Sequence, residues 1–403
     1  MSNALKATRA DRDASLVPPT SGHAEPGVPE QGTKPSLQGR REMLSGPRSG
    51  AHNMRVPVLD TNRVPLMPTT QKRARILLNS GKASAYWNKL GMFCIILKRE
   101  VLPNNQLLVA GCDPGSSFEG WSVVGTRDTV LNGMSEATTH VKKAVEQRRT
   151  MRRARRHRNC RRRPSRLQNR LRNKNTLPPS THARWNAKLR IIKILQKCLP
   201  ITVVVVEDVA ARTWKGKGVW KHNTNFSAIE QGKLWFYRNI TDNGLKLHTC
   251  KGHETKDLRN QFKLGKTRQK DKRTFVSHAV DAWVLAASIS GAKYPTSKDL
   301  VYWSPIRLHR RQLQRLEPQK GGKRPDYGGT RSLGISRGVL VCHKKFGLTY
   351  IGGNSNGKVS LHNYRGGKRL TQSANPKDLT ILTRIAWRTQ MYPEVTGRAS
   401  STV

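Results

Sequence analysis

The chain has 403 residues, and its 75 Lys and Arg against 25 Asp and Glu give a formal charge of +50 at pH 7. Only 35% of the residues are hydrophobic and 6% are aromatic, so we expect part of the chain to lie outside any packed core. Such a charge needs an anionic partner, and nucleic acid is the expected one. The sequence has neither an apolar run long enough to span a membrane nor a signal-peptide pattern, which predicts a cytoplasmic protein with no membrane partner.

The N-terminal part of the chain changes character at Met54. Residues 1–53 are rich in Pro, Gly and Ser without an apolar period, which predicts a disordered leader. After it, MRVPVLDTNRVPLMP predicts a short strand and X-Pro turns, and TQKRARILLNSGKASAYW predicts a basic helix that ends near Gly81. We expect a small folded module over residues 54–106, called the PLMP module after residues 65–68.

Apolar segments further along predict a sheet with helices packed on it. Residues 107–111, 120–124 and 129–134 are apolar and separated by turns, which predicts an antiparallel meander. ITVVVVED, residues 201–208, lacks polar alternation in its middle, which is typical of a strand buried on both faces. A helix with Ser180 or Thr181 as its N-cap is predicted before this strand.

The C-terminal half shows three further patterns. Residues 245–248 predict a short strand, and TFVSHAVDAWVLAASIS predicts an apolar helix. From about residue 300 onward, Gly-punctuated apolar alternations such as GVLVCH and KVSLH predict a small antiparallel β unit.

Basic residues are concentrated between the meander and the buried strand. Residues 142–174 contain 16 Lys or Arg and a single acid, Glu146. Like charges at i and i+4 destabilise a free helix, and here they recur throughout the segment. This density favours a helix that lies along a polyanion over a face that is simply solvated.

Acidic residues are scarce, so their positions are informative. Asp113 ends the first strand, Glu207 ends the buried strand, and Asp281 lies three residues after His278 on the apolar helix. Singly, each acid has a structural explanation: a turn residue, a surface charge or an ion-pair partner. Together they can converge at one end of a sheet, where carboxylates repel unless they bind cations such as Mg²⁺ or Mn²⁺. Two such ions support hydrolysis of a phosphodiester, with His278 as a ligand or a base on the same helix face.

Several segments resemble a known family. GCDPGSSFEGWSVV, VVVVEDVA and FVSHAVDAWVLA are similar to the three split motifs of a RuvC-type nuclease domain of the RNase H fold. With VLDTNRVPLMP before them, the Arg-rich segment between them and GGKRPDYGGT after them, the sequence resembles the transposon-encoded RNA-guided nucleases of the IscB and IsrB group. These nucleases are relatives of the type II CRISPR effectors, and the resemblance covers about residues 54–390.

The resemblance implies an α/β fold: a split RuvC domain of the RNase H fold, an Arg-rich bridge helix, the PLMP module and a C-terminal small β domain. The implied boundaries are a leader at 1–53, the PLMP module at 54–106, RuvC segment I at 107–141, the bridge helix at 142–178, RuvC segment II with a linker at 179–243, RuvC segment III at 244–292 and the C-terminal basic β domain at 293–403.

The resemblance also implies roles for individual residues. Asp113, Glu207 and Asp281 correspond to the acids that bind two Mg²⁺ ions, for which Mn²⁺ can substitute, and His278 corresponds to the catalytic histidine. The bridge helix is implied to bind guide RNA through Arg152, Arg153, Arg155, Arg156, Arg162, Arg163 and Arg166. The β domain is implied to read a short DNA flanking motif through Arg331, Arg337, Lys344 and Lys345, although a β unit that binds only RNA is the alternative.

The interval between the second and third motifs separates two forms of this family. IscB carries an HNH nuclease there, but only 70 residues lie between Glu207 and His278. The HTCKGHE segment lacks HNH spacing, and none of the six cysteines forms a CxxC pattern, so we expect all six to be reduced: Cys94, Cys112, Cys160, Cys198, Cys250 and Cys342.

The chain therefore resembles IsrB, the form without HNH. This implies a cytoplasmic prokaryotic nickase that cuts the non-target strand of an R-loop, as a monomer bound 1:1 to an omega RNA and acting on double-stranded DNA. Two other classes stay open: a guide-independent RNase H-fold nuclease such as a junction resolvase, and a noncatalytic RNA-binding protein.

Overall fold

The computed structural model describes residues 54–157, 177–208, 228–306 and 331–394. The predicted leader, and the predictions made for residues 158–176, 209–227, 307–330 and 395–403, therefore lie outside the described residues. Within the described part, Cys94, Cys112, Cys198 and Cys250 are free thiols, as expected. No helix in these ranges is both long enough and apolar enough to cross a membrane.

The PLMP module is a four-stranded sheet with one helix. Its strands are β1 (Val56–Leu59), β2 (Pro65–Thr69), β3 (Ala83–Trp87) and β4 (Phe93–Leu97), in the order β2-β1-β4-β3. Helix α1 (Gln71–Asn79) begins where the Thr70 hydroxyl accepts a hydrogen bond from the Arg73 backbone N–H. It ends before Gly81, whose φ of +71° lies in the left-handed region that a helix end favours. The predicted basic helix is confirmed.

A seven-stranded sheet forms the centre of the protein. Strands β5 (Leu108–Asp113), β6 (Phe118–Gly125) and β7 (Thr129–Glu136) form an antiparallel meander. Strand β8 (Ile201–Asp208) pairs in parallel with β5, and β9 (Lys246–Lys251) pairs in parallel with β8. The meander and the buried strand are thus confirmed, and the order β7-β6-β5-β8-β9 is that of an RNase H-like fold.

Helices cover both faces of this sheet, because β8 sends its valines alternately to each side. Val204 and Val206 pack with α3 (Pro179–Gln196) and α4 (Ala228–Thr241). Val203 and Val205 pack with α5 (Gly252–Gln261), α6 (Phe275–His278) and α7 (Val280–Ser290). Helix α2 (His140–His157) carries the start of the Arg-rich segment and packs against α3. From Val203 onward, even-numbered residues of β8 therefore face α3 and α4, and odd-numbered residues face α5, α6 and α7.

The C-terminal part contains a five-stranded antiparallel sheet, as predicted. Its order is β16-β15-β14-β13-β17. A short hairpin of β11 and β12 precedes it, and a 3₁₀ turn at Pro376–Asp378 precedes the last strand. The strand bounds are β11 (Arg331–Ser332), β12 (Ile335–Ser336), β13 (Val339–His343), β14 (Gly347–Ser355), β15 (Lys358–Asn363), β16 (Arg369–Ala374) and β17 (Leu379–Arg384).

The structure differs from the sequence expectations at three points. Helix α3 begins after Pro178 with no side-chain cap, so neither Ser180 nor Thr181 is its N-cap. The expected continuous apolar helix is broken at Ala279 into α6 and α7. The central sheet continues past residue 292, because β10 (Leu300–Pro305) pairs in parallel with β7, and β18 (Trp387–Tyr392) pairs with β10. The small β domain is therefore inserted between two strands of the central sheet.

Candidate metal centre

Three carboxylates meet at the carboxyl edge of the two central parallel strands. Asp113 is the last residue of β5, and Glu207 is the next-to-last residue of β8. Cys112 pairs with Val206, so the two acids that follow them are neighbours across the sheet. Asp281, in the first turn of α7, completes a group whose ligand oxygens all lie within 4.8 Å of one another. The acids singled out in the sequence are thus brought together.

Two glycines let α7 and the residue that ends α6 lie close to the sheet, which places Asp281 near the other two acids. A Cβ on Gly111 would overlap the backbone oxygen of Ala282, and a Cβ on Gly120 would overlap that of His278. Both contacts are with helix backbone, which has little freedom to move aside. Helix α7 therefore rests directly on the backbone of β5, and the end of α6, immediately before it, rests on the backbone of β6.

Crowding perturbs the acids. Burial, followed by the charge of Asp113 and a hydrogen bond with it, raises the pKa of Glu207 to about 8. Burial also raises the pKa of Asp113, against the positive charge of Lys266. Glu207 therefore keeps a proton at neutral pH and donates it to Asp113. A divalent cation bound here would displace that proton.

Two basic side chains hold Asp281, whose own side chain is only 4% exposed. Arg259 Nη1 lies 2.6 Å from Asp281 Oδ1, and the Lys266 ammonium contacts Oδ2. The positive charge of Lys266 also opposes the rise in the pKa values of Asp113 and Glu207 that burial causes. The Lys266 ammonium thus contacts one of the three carboxylates and supplies positive charge to the other two, and the all-oxygen donor set fits Mg²⁺ or Mn²⁺. Sequence reasoning missed both basic residues, and its only signal was the basic stretch after Glu254.

The structure places His278 beside this centre, outside the group of ligand atoms. Its Nε2 lies 3.0 Å from the backbone oxygen of Lys270, and its ring meets Phe118 edge-on at 5.1 Å. Burial, followed by the charge of Lys270, lowers the pKa of His278, so the imidazole is neutral at pH 7. The break at Ala279 separates it from the helix of Asp281, contrary to the expected shared helix face. Its catalytic role stays a prediction.

A second set of polar residues lies on the opposite face of the sheet. The Lys188 ammonium is 2.7 Å from Glu119 Oε1, and both side chains are at most 5% exposed. Ser135 donates to the other Glu119 oxygen, and the Trp121 indole N–H donates to Ser135. This network was not found from the sequence. It ties α3 to strands β6 and β7 behind the carboxylates.

The residues expected to bind nucleic acid are described only in part. Arg152 and Arg153 are exposed on α2 and make no ion pair within the described ranges. The side chains of Arg155 and Arg156, and residues Arg162, Arg163 and Arg166, lie outside the described part. RNA binding by this set remains a prediction.

The residues expected to read a flanking motif lie on the small β domain. The Lys344 ammonium is 3.4 Å from Asp378 Oδ1, and Lys345 lies over the Phe346 ring. Arg337 is partly buried, and its Nε has no hydrogen-bond partner among the described residues. The side chain of Arg331 is outside the described part. No contact here distinguishes DNA reading from RNA binding.

Comparison with known proteins adds a family match. A family model described as RRXRR protein matches residues 56–217, a range that contains Asp113, Glu207 and the Arg-rich segment. The chain is similar to these proteins over that range, which is less than half of its length. A search of curated proteins finds no match.

Two solved structures are similar to the chain, both of Thermus thermophilus RuvC. The one in complex with a Holliday junction substrate is 13% identical, with 45% of this chain and 90% of that chain covered and a TM-score of 0.25. The other is also 13% identical, with 47% and 99% covered and a TM-score of 0.23. The RNase H-like fold assigned above rests on the strand order of this chain itself.

Proposed function

We propose that the protein is a metal-dependent DNA endonuclease that uses a guide RNA and nicks one strand of its target. The observation that carries the proposal is the convergence of Asp113, Glu207 and Asp281 within 4.8 Å at the carboxyl edge of an RNase H-like sheet. Two divalent ions held by these oxygens would lower the pKa of an attacking water and neutralise charge on the phosphodiester.

The protein's own groups supply the remaining parts of this chemistry. Asp281 is held by Arg259 in an orientation that directs the carboxylate at the other two acids. Glu207 must lose its proton before it can serve as a ligand, since its pKa is about 8. The neutral His278 ring lies outside the ligand group, and we expect it to act as a proton acceptor and not as a ligand.

Guidance by RNA is supported by charge and by the family match. Helix α2 presents Arg152 and Arg153 to solvent, and the whole chain carries +50. A polyanion bound along this helix would release counterions and relieve the repulsion between its like charges. The match to RRXRR proteins covers the Arg-rich segment together with two of the three acids.

Cutting of a single strand is supported by the interval between the second and third acid motifs. Residues 228–251 contain α4, which packs on the central sheet, and β9, which is a strand of that sheet. Helix α5 packs beside them. Residues 209–227 leave only 19 positions, fewer than two average strands and a helix require. We therefore expect one nuclease centre, which cuts one strand.

The test is to purify the full chain, sequence the RNA that copurifies with it and follow cleavage of a strand-specifically labelled duplex in Mg²⁺. One structured RNA with a variable end, and nicking of the displaced strand only, supports the proposal. Asp113→Asn should abolish nicking while RNA binding persists, and Asp242→Asn, an exposed acid at the end of α4, is the matched control.

Three outcomes would contradict the proposal. Efficient cutting of both strands by one complex would require a second centre. Cutting of branched DNA without RNA would identify a junction resolvase. RNA binding without any cleavage would identify a noncatalytic protein.

A further inference from the structure

The two cations that hold Asp281 differ in how they are supported. Arg259 projects from helix α5, and its side chain is 18% exposed. Lys266 lies on the loop between α5 and α6, and its side chain is 32% exposed. A buried carboxylate needs a positive partner, and the arginine on the helix already provides one. The lysine is therefore the cation that can leave.

Lys266 occupies the space that a metal ion would need. Its ammonium contacts Asp281 Oδ2, and its charge acts on both Asp113 and Glu207. A divalent ion among the same oxygens would lie within a few ångströms of the ammonium, where like charges repel by several kcal/mol even at an effective dielectric constant of about 20. The ammonium and the metal ion therefore exclude each other.

The backbone of the loop is fixed by hydrogen bonds, whereas the Lys266 side chain can change its rotamer. The Thr267 backbone N–H donates to the backbone oxygen of Val276 at 3.3 Å, and the Lys270 ammonium donates to that of Ser277 at 2.8 Å. The Lys266 side chain is itself 32% exposed, so its ammonium lies close to solvent. The four-carbon side chain of lysine can move toward solvent without displacement of the loop.

We propose that Lys266 fills one metal position until a phosphodiester reaches the centre, so that metal and nucleic acid bind together. The inference rests on the proposed nuclease function. Without a phosphate, the metal must drive the ammonium from Asp281 into water. With a phosphate present, its nonbridging oxygens accept the ammonium, and the ion pair is exchanged instead of lost. Metal and nucleic acid then bind with positive coupling.

Mn²⁺ binding to the full-length protein freed of nucleic acid tests this assignment, with the unbound ion measured by electron paramagnetic resonance. Lys266→Met should bind Mn²⁺ about tenfold more tightly than the wild type, and Lys266→Arg should behave as the wild type does. The matched control is Lys293→Met, an exposed lysine beyond the far end of α7 and roughly 15 Å or more from Asp281 at the helical rise.

In the presence of programmed target DNA the difference should vanish. The Mg²⁺ concentration for half-maximal nicking should change less than twofold in Lys266→Met, because the phosphate has already drawn the lysine away. Equal Mn²⁺ affinity of the wild type and Lys266→Met without nucleic acid would overturn the proposal. So would a tenfold shift that persists unchanged in the nicking assay.

Asp281→Asn separates this failure from failure of the proposed function. If it removes Mn²⁺ binding while Lys266→Met leaves the affinity unchanged, the three acids form the metal centre and only the role of Lys266 is wrong. If Asp281→Asn binds Mn²⁺ as the wild type does, the acids are not a metal centre, and both proposals fall. Thermal melting of each variant establishes that it is folded.

Discussion

Replacing Glu207 with glutamine should remove metal binding and yet stabilise the metal-free protein at alkaline pH. The pKa of Glu207 rises from 4.5 to about 8 on folding, because burial and the neighbouring Asp113 disfavour its charged form. Between these values the folded state binds more protons than the unfolded state. The free energy of unfolding therefore falls as the pH rises through this window and levels off above it.

The size of the effect follows from the two pKa values. Between pH 5 and pH 8, proton linkage on this one group amounts to about 3.5 kcal/mol of lost stability. Glu207 is partly exposed, and screening by solvent reduces the expected loss to ~2 kcal/mol. Glutamine keeps the shape and hydrogen-bonding capacity of the protonated acid but does not titrate, so Glu207→Gln should lose this pH dependence.

The assay is unfolding by urea in EDTA at pH 5 and pH 8, for wild type, Glu207→Gln and Glu146→Gln. Glu146 is an exposed acid on α2, so Glu146→Gln makes the same substitution at a carboxyl group that is not buried. We expect the wild type and Glu146→Gln to lose about 2 kcal/mol more than Glu207→Gln between the two pH values. Added Mg²⁺ should stabilise the wild type more at pH 8 than at pH 6, because the proton competes less. Parallel pH dependence in all three proteins would refute the reasoning.

Three further changes test the surrounding structure. Lys188→Met leaves the Glu119 carboxylate buried without its ion-pair partner, so it should lower the free energy of unfolding by roughly 3–5 kcal/mol. Adding Glu119→Gln should restore most of this loss, and a double variant that recovers no stability would contradict the explanation. Gly111→Ala forces a Cβ against the backbone of α7 and should weaken Mn²⁺ binding and stability together, whereas Gly265→Ala, which has open space around it, should leave stability unchanged; equal melting temperatures would contradict the close approach. Arg152→Gln should lower the slope of log RNA affinity against log salt by about 1 with all RNAs alike, and an unchanged slope would mean that this arginine contacts no phosphate.

The elements that the sequence predicts well are those specified by local patterns. Short apolar segments separated by turns predict the meander, and an uninterrupted apolar run predicts strand β8. A basic segment that ends at a glycine predicts helix α1. Each of these patterns spans only ten to twenty residues. Strands β10 and β18, the last two at one end of the central sheet, are different. Each is a short segment whose partner lies far away in the chain, and the local pattern of residues does not specify which sheet a strand joins.

In the candidate site, too, the residues specified by local patterns could be predicted, whereas those placed by tertiary contacts could not. Asp113 and Glu207 end neighbouring parallel strands, so strand pattern and resemblance together suffice to place them side by side. The break at Ala279 lies inside an apolar run that has no Gly or Pro to mark it, so the run reads as one continuous helix. Lys266 reaches Asp281 from an irregular loop, whose course depends on its tertiary contacts and not on any period.

Parity along β8 explains why one strand serves two different networks. Glu207 lies two residues after Val205 and therefore on the same face of the sheet, toward α7. There it meets Asp113 and Asp281 in a group with fewer positive than negative side chains. Asp208 follows Val206 and faces α4, where the Lys233 ammonium lies 2.7 Å away and the Tyr237 hydroxyl donates at 3.1 Å. Two adjacent acids thus have opposite surroundings. The carboxylate of Asp208 is fully occupied by its partners and holds α4 on the sheet. Glu207 has too little positive charge around it, so it keeps a proton that a metal ion could replace. This contrast is why we propose a functional role for Glu207 and a structural one for Asp208.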